Sequence, residues 1–318
     1  MLSKRHIVSR SLLLIAPRQL AWVSEELPAL QPYEVLVQTR VGAISIGSEL
    51  PHYSGRARHT KQRPYPYMTG YESVGIVLDC GSEVQHLRRG DRVVTFYGHR
   101  THAIVPENKA LPVPGDISDA VALLAILSCD VAKGISKVAP RSDDEVLVTG
   151  AGAIGLLTVF MLNALGISGI DVSEPEAGRC ALALQLGARR AQSPQHLQVE
   201  EQRAYPVGIE CSSRNAAFEF LQAQAGQAGR ICILADGNIE PLVLTPAFHK
   251  KELQIVGSSD GLDYQEHARW FFRLERRQLN KLEQIFDYKT TANELISIFE
   301  GLADGTIKTT KVFVRYDP

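Results

Sequence analysis

Over roughly the first 114 residues, apolar and polar positions alternate in short runs. Residues 34–41 mix apolar positions (Val35, Leu36, Val37, Val41) with polar ones and read as a strand. The apolar run 12–16 reads as a first strand, and residues 75–78 and 92–95 as further strands. Gly81-Ser82 and Gly90-Asp91 supply turns between them. From 118 to 138 the period becomes helical, with Ser118 as candidate N-cap. From Glu145 onward the two patterns take turns. Strands are predicted at 146–148, near Ile170, and at 207–211, 230–235 and 253–256. Helices are predicted at 156–165, 176–186 and 215–224. Such alternation predicts a parallel sheet with helices on both faces. The tail predicts two helices, roughly 264–277 and 292–302, and a last strand at 310–314. The fold class is therefore α/β: a mostly β, barrel-like domain over 1–118, a doubly wound parallel-sheet domain over 119–259, and a third segment over 260–318.

Within the second domain, residues 145–155 read Glu-Val-Leu-Val-Thr-Gly-Ala-Gly-Ala-Ile-Gly. Gly150, Gly152 and Gly155 have G-x-G-x-x-G spacing between a strand and a helix, and Glu174 follows the next strand, 19 residues past Gly155. In that context the glycines allow a tight turn and close approach of the backbone to a pyrophosphate. The N–H groups of Ala153, Ile154 and Gly155 open the helix, where phosphates bind. Glu174 is placed to accept hydrogen bonds from the adenosine ribose, and its charge repels a 2′-phosphate, so NAD(H) is preferred and NADP(H) is possible. Asp171 is a competing acid for the ribose, and a glycine-tight turn without a ligand is the plainer alternative.

Composition narrows the classes. A chain of 318 residues with 45% hydrophobic and 22% charged residues suits two globular domains. Net charge is −1 and basic residues are dispersed; the densest run, 273–281, includes Glu275 and reads as one helix face, so no nucleic-acid partner is expected. Cys80, Cys129, Cys180, Cys211 and Cys232 form no C-x-x-C pair, which argues against a disulfide framework or a cysteine-rich zinc lobe and for a reducing, cytoplasmic setting. No run approaches the roughly 20 apolar residues of a membrane span, and 12–16 is too short for a signal sequence, so no membrane partner is expected.

Several motifs together resemble the medium-chain dehydrogenase/reductase superfamily. Gly75-Ile76-Val77 and Gly90-Asp91-Arg92-Val93-Val94 are similar to its G-x-V and G-D-R-V strands. Residues 43–49 are similar to its A-G-I-C-G-[ST]-D segment, and Gly70-Tyr71-Glu72 to its G-H-E segment. The resemblance implies a GroES-like first domain carrying the substrate chemistry, a Rossmann second domain, a tail that returns to the first domain, and a homodimer. It also exposes departures. Where zinc members place a metal-binding Cys and His, this chain has Ile46 and Tyr71, which are poor zinc ligands or none. The four-cysteine lobe is absent, and Pro114 follows Val94 too soon to leave room for it. A zinc-free member is expected. The runs Ser45-Ile46-Gly47-Ser48-Glu49 and Gly70-Tyr71-Glu72-Ser73-Val74-Gly75 are most similar to the bacteriochlorophyllide dehydrogenase branch, which oxidises a secondary alcohol to a ketone.

Without a metal, protein hydrogen bonds must polarise the substrate oxygen. The resemblance places Ser48 at that oxygen and Tyr71 where a ligand points into the cleft. His52, four residues beyond Ser48, titrates near neutrality when unperturbed, and Glu72 is a candidate orienting group or base. Each has a structural alternative: a turn hydrogen bond for Ser48, packing for Tyr71, a loop position for His52, a buried ion pair for Glu72, and a pair with Arg92 for Glu49. On the cofactor side, the resemblance puts Arg179 near the adenosine and Lys311 near the pyrophosphate. Cys211, Ser212, Ala235, Asp236, Gly237 and Ser258 end successive strands, where a doubly wound sheet holds its ligand. The expected activity is interconversion of a small-molecule secondary alcohol and ketone in a biosynthetic pathway. The rival readings are an NADPH-dependent enone or quinone reductase, a dinucleotide-binding protein without turnover, and a redox-neutral enzyme.

Overall fold

The computed structural model describes residues 7–57, 64–199, 204–235 and 240–316. Two compact units form: residues 1–125, 268–272 and 286–318 in the first, 126–267 and 273–285 in the second. The tail is thus shared. Residues 273–285 and the start of the 260–318 segment belong to the second unit, and the change of unit falls at 125/126.

In the first unit, β1 (Val8–Ala16) reverses through Arg18 into β2 (Gln19–Glu26), antiparallel, and β1 also pairs β4 (Tyr67–Met68). The run around residue 34 becomes β3 (Glu34–Ile44), the hub of the larger sheet. On it lie β5 (Glu72–Cys80), β7 (His102–Pro106) and, from the far end of the chain, β16 (Val312–Arg315), each antiparallel to it. β6 (Arg92–Thr95) and β8 (Ala110–Pro112) extend one side, and β15 (Tyr288–Thr291) extends the other, parallel to β16. Helices α1 (Ile46–Tyr53) and α10 (Leu295–Asp304) pack over this region, and Leu12, Ile44, Tyr53, Phe299, Val312 and Val314 form their shared core. The strands predicted at 92–95 and 34–41 are present, the latter longer. β2 escaped notice because its solvent face is polar (burial falls away from Val23 to Glu26), and β15 because Tyr-Lys-Thr-Thr carries almost no apolar signal.

The long helix α2 (Asp119–Val138) begins after Ser118, whose hydroxyl accepts from the Val121 N–H at 3.3 Å. Beyond it the second unit alternates as predicted. Its strands are β9 (Val146–Thr149), β10 (Ile170–Ser173), β11 (Arg190–Gln192), β12 (Tyr205–Glu210), β13 (Ala225–Ile233) and β14 (Gln254–Gly257), in the spatial order β11-β10-β9-β12-β13-β14, all parallel. Between them run α3 (Ala153–Ala164), α4 (Ala177–Gln185), α5 (Pro194–Val199), α6 (Asn215–Gln224) and α7 (Pro246–Lys250). This is the doubly wound order, and the direction of winding reverses between β9 and β12, so the ligand crevice lies beyond their carboxyl ends. The tail helix predicted over 264–277 is two pieces, α8 (Tyr264–Phe271) and α9 (Arg276–Leu279). The break falls where the chain passes from the first unit to the second.

Asp171, the rival acid for the ribose, is structural. Its fully buried carboxylate accepts from Arg189 Nη2 at 2.8 Å, Arg190 Nη2 at 2.6 Å and the Tyr205 hydroxyl at 2.8 Å. Burial disfavours its charge, but these donors outweigh that and hold it at about 2. A carboxyl whose folded value lies below its unfolded value near 3.9 stabilises fully above pH 4, and that stabilisation is lost as pH falls through 2. Asp171→Asn is therefore expected to lower unfolding free energy by about 2 kcal/mol at pH 7, a gap that closes by pH 2. Urea unfolding of both proteins across that range checks it, and a gap independent of pH would refute the assignment.

Candidate active site

The four residues of β9 are fully buried, and the chain leaves them through Gly150 at φ +86°, a backbone state that only glycine adopts without strain. A Cβ on Gly150 would sit 2.8 Å from that of Ser212, and one on Gly155 would sit 1.9 Å from the Gly150 carbonyl oxygen. These two glycines bring α3 against β9 and β12. Gly152, the residue before α3, differs: a Cβ there would meet nothing within 4 Å. Its backbone faces open space, and the first intrahelical bond runs from Leu156 N to the Gly152 carbonyl. The N–H groups of Ala153, Ile154 and Gly155 therefore stand at the helix mouth. Such a cradle fits the pyrophosphate of a dinucleotide.

Glu174, directly after β10, is buried beside this turn. One carboxylate oxygen accepts from Ala151 N at 2.7 Å and the other from Glu176 N at 3.0 Å. The carboxylate is thus fixed against the glycine turn, with lone pairs left to accept from a ribose. Arg179 lies in the first turn of α4, whose N-cap is Glu176. At the neighbouring strand ends, Ala235 N donates to the Glu210 carbonyl at 3.1 Å and Ser258 N to that of Ile233 at 3.0 Å. The buried hydroxyls of Thr149 and Ser258 have no hydrogen-bond partner among the described residues. Asp236 and Gly237 lie outside the described residues. Cys211 is packed under the turn, and burial pushes its thiol well above the usual range, so it serves as an apolar filler rather than a nucleophile. Sequence reasoning missed Glu210. Its buried carboxylate accepts from Ser212 N at 2.7 Å and from the Ser212 hydroxyl, so it fixes the residue that abuts Gly150. Burial raises its pKa despite those donors. A lone acid ending a strand carries no spacing signal.

In the first unit, β3 runs out at Ile44 and Ser45 leads into α1, while Tyr71 immediately precedes β5. The Tyr71 hydroxyl donates to Ser45 Oγ at 2.6 Å and lies 3.2 Å from Ser48 Oγ. Burial, followed by the charge of Glu72, raises the Tyr71 phenol well above its ordinary value. It is therefore a proton donor at neutral pH and not a base. Ser48 and Tyr71 are brought together, as their predicted roles require. His52 is not: it lies edge-on to Tyr67 at 6.3 Å between ring centres, and the hydrogen bonds of Ser48 and Tyr71 do not include it.

Glu72 and Lys311 are brought together, contrary to the separate roles expected of them. Lys311, 1% exposed, places Nζ 2.8 Å from a Glu72 carboxylate oxygen. The ammonium expected at the pyrophosphate is instead buried as the counter-ion of Glu72, the pairing foreseen for Glu72 as its structural alternative. Arg92 pairs with Asp119 at 2.9 Å rather than with Glu49. Glu49 instead lies 3.1 Å from Nε2 of His99, a residue sequence reasoning passed over. Fifty positions separate that pair, and the one local hint is Gly70: at φ +78°, a Cβ on it would come within 2.7 Å of the His99 ring.

The residues at the expected metal positions do not fit zinc. Ile46 offers no donor atom, the Tyr71 phenol is held protonated, and Glu72 is engaged by Lys311. Among the described residues, no group of three or more His, Cys, Asp or Glu side chains is arranged to hold a metal ion. Nor is any described helix long and apolar enough to cross a membrane.

With this geometry in place, likeness to known proteins sets the class. Residues 31–115 match the alcohol dehydrogenase GroES-like domain family. An L-threonine 3-dehydrogenase of Chelativorans sp. (strain BNC1) is 26% identical over 266 residues, 71% of this chain and 76% of that one. The solved 2R,3R-butanediol dehydrogenase of Bacillus subtilis superposes with TM-score 0.80 at 19% identity, covering 97% of this chain and 100% of that one. A short chain alcohol dehydrogenase of Escherichia coli CFT073, complexed with NADH, gives TM-score 0.81 at 21% identity over 97% and 99%. The fold is thus a GroES-like domain joined to a Rossmann-type parallel-sheet domain, and the class is oxidoreductase. Beyond residues 31–115, the chain as a whole is similar to medium-chain dehydrogenases/reductases.

Proposed function

We propose that this protein is a zinc-independent, NAD(H)-linked dehydrogenase that interconverts a small secondary alcohol and its ketone. The observation that carries the reading is the hydroxyl cluster of Ser45, Ser48 and Tyr71, in which Ser48 and Tyr71 stand where the resemblance expects a substrate contact and a metal ligand. A bound nicotinamide dinucleotide supplies the hydride acceptor or donor. The chain's own residues do the rest. Backbone N–H groups of 153–155 hold the pyrophosphate, and Glu174 holds the ribose and disfavours a 2′-phosphate. Ser48 donates a hydrogen bond to a ketone oxygen, or accepts one from an alcohol, in the role a metal would otherwise fill, while the Tyr71 hydroxyl orients the cluster around it. The relative named L-threonine 3-dehydrogenase supports the alcohol–ketone reading, since threonine carries a secondary hydroxyl at that position. The NADH-complexed neighbour supports a nicotinamide cofactor. Five free thiols accord with a reducing, cytoplasmic setting. A homodimer and a place in a biosynthetic pathway complete the reading.

Native mass spectrometry with NADH and NADPH added in parallel tests it. A metal-free protein that retains NADH better than NADPH is expected, followed by oxidation of secondary alcohols in a substrate screen. A stoichiometric zinc mass would return the mechanism to Lewis-acid catalysis, and preference for NADPH with reduction of enones alone would replace the alcohol reading.

A further inference from the structure

The three hydroxyls beside α1 are not equivalent, and their hydrogen-bond directions single one out. Tyr71 has one proton, kept by burial, and gives it to Ser45 Oγ at 2.6 Å. The Ser48 hydroxyl has two acceptors within reach, the Tyr71 oxygen at 3.2 Å and the Ser45 carbonyl at 3.4 Å. Ser45 Oγ accepts the Tyr71 proton, and its own proton has no acceptor among the described residues. A hydroxyl that accepts a short hydrogen bond is polarised and becomes a stronger donor. Ser45 is also only half buried, so that proton is within reach of a ligand.

The backbone of Ser45 is fixed independently of its side chain. Its N–H donates to Glu49 Oε1 at 2.7 Å, and the other oxygen of Glu49 lies 3.1 Å from His99 Nε2. His99 Nδ1 in turn lies 3.3 Å from the Tyr316 hydroxyl. Glu49 is 8% exposed, His99 1% and Tyr316 7%, so the anchor is interior while the hydroxyl it carries is not. The run from Tyr316 through His99 and Glu49 holds the turn, and Tyr71 orients the hydroxyl upon it.

We propose that Ser45 is a further substrate-contacting residue: its hydroxyl, polarised by the hydrogen bond from Tyr71, donates to the oxygen of the bound ketone alongside Ser48. This inference rests on the dehydrogenase reading above and adds a residue to its site. No bond is made or broken in the step, which is hydrogen-bond donation to an oxygen that gains negative charge as hydride arrives.

The test uses isobutyramide, a small amide whose carbonyl oxygen stands in for that of a ketone and which takes no hydride. Its binding to the protein with NADH is followed through nicotinamide fluorescence for the wild type, Ser45→Ala and Ser45→Thr. Because the Ser45–Glu49 bond uses the backbone N–H, it survives in both variants. Ser45→Ala is expected to weaken amide binding at least tenfold with NADH affinity unchanged, and Ser45→Thr, which keeps a hydroxyl, to stay within a few-fold of wild type. Equal amide binding by Ser45→Ala overturns the proposal. So does loss of NADH binding in that variant, which would mark a purely structural role, and so does a wild type that holds NADH but no amide. A wild-type protein that fails to bind NADH would instead overturn the dehydrogenase reading itself, and this inference with it.

Discussion

Replacing Lys311 with methionine is expected to destabilise the protein by about 3–5 kcal/mol, because it removes one partner of a buried ion pair and leaves the other charge in the interior. Glu72 and Lys311 are each 1% exposed, and their contact distance is 2.8 Å. Methionine fills most of the lysine's volume, so the loss reports the abandoned carboxylate rather than a cavity. Glu72→Gln in the same background removes that charge and is expected to return a large part of the stability. Urea unfolding of the single and double variants decides the point: a Lys311→Met loss below about 1 kcal/mol, as for exposed pairs, would show that water reaches the pair. The result also bears on function, since a carboxylate held this way is a support for β5 and not a free base.

Tyr71→Phe is expected to lower turnover by about 10²–10³-fold, the usual consequence of losing one preorganised donor at a developing oxyanion, because the Ser45 hydroxyl loses the hydrogen bond that polarises and orients it, while NADH affinity changes less than about twofold. The phenol contacts Ser45 and Ser48 in the first unit, and nothing in the dinucleotide cradle depends on it. Steady-state kinetics beside an NADH titration separates the two effects, and unchanged turnover would remove Tyr71 from the mechanism. Burial and then Glu72 raise the phenol well above its ordinary value near 10. The donor form is therefore complete below that value and persists as pH rises through it, so no loss of rate from phenol ionisation is expected in the alkaline range where free tyrosine titrates.

Elements whose burial pattern matches a simple period were legible in the chain. Asn215–Gln224 has the predicted bounds because one face is apolar, and Arg92–Thr95 because a short buried run begins straight after the Gly90-Asp91 turn. The start of β13 was not, since Ala225-Gly226-Gln227-Ala228-Gly229 has no strand propensity and Ala228 sits at φ +53°. There only Ala225 pairs with β12 before the ladder resumes at Arg230, and residues 226–229 bulge out across the register shift between Tyr205 and Val207. The split of the tail helix was invisible for a related reason: Phe271 and Phe272 are both buried, which continues the apolar signal across the break.

At the candidate site the same division holds. The glycine turn and Glu174 are local, and sequence spacing located them. The cradle shows why each glycine is there, including the open face at Gly152, which no spacing rule distinguishes from the crowded Gly155. Partnerships across the fold were out of reach. Lys311 was assigned by analogy to a phosphate, while burial made it the counter-ion of a carboxylate 239 positions away. His99 and Ser45 bear on the hydroxyl cluster only through contacts that β3, α1 and the turn at Gly70 create.

The first unit is discontinuous: β15 and β16 reach it after the entire second unit has intervened. On the ribosome, Glu72 and the free edge of β3 emerge long before Lys311 and β16 exist to cover them. The strands of the parallel sheet all fall within residues 126–267 and can pair while the first unit is still missing a strand and a counter-charge. Nascent chains that stall before residue 311 thus leave a sheet edge and a carboxylate without their partners together.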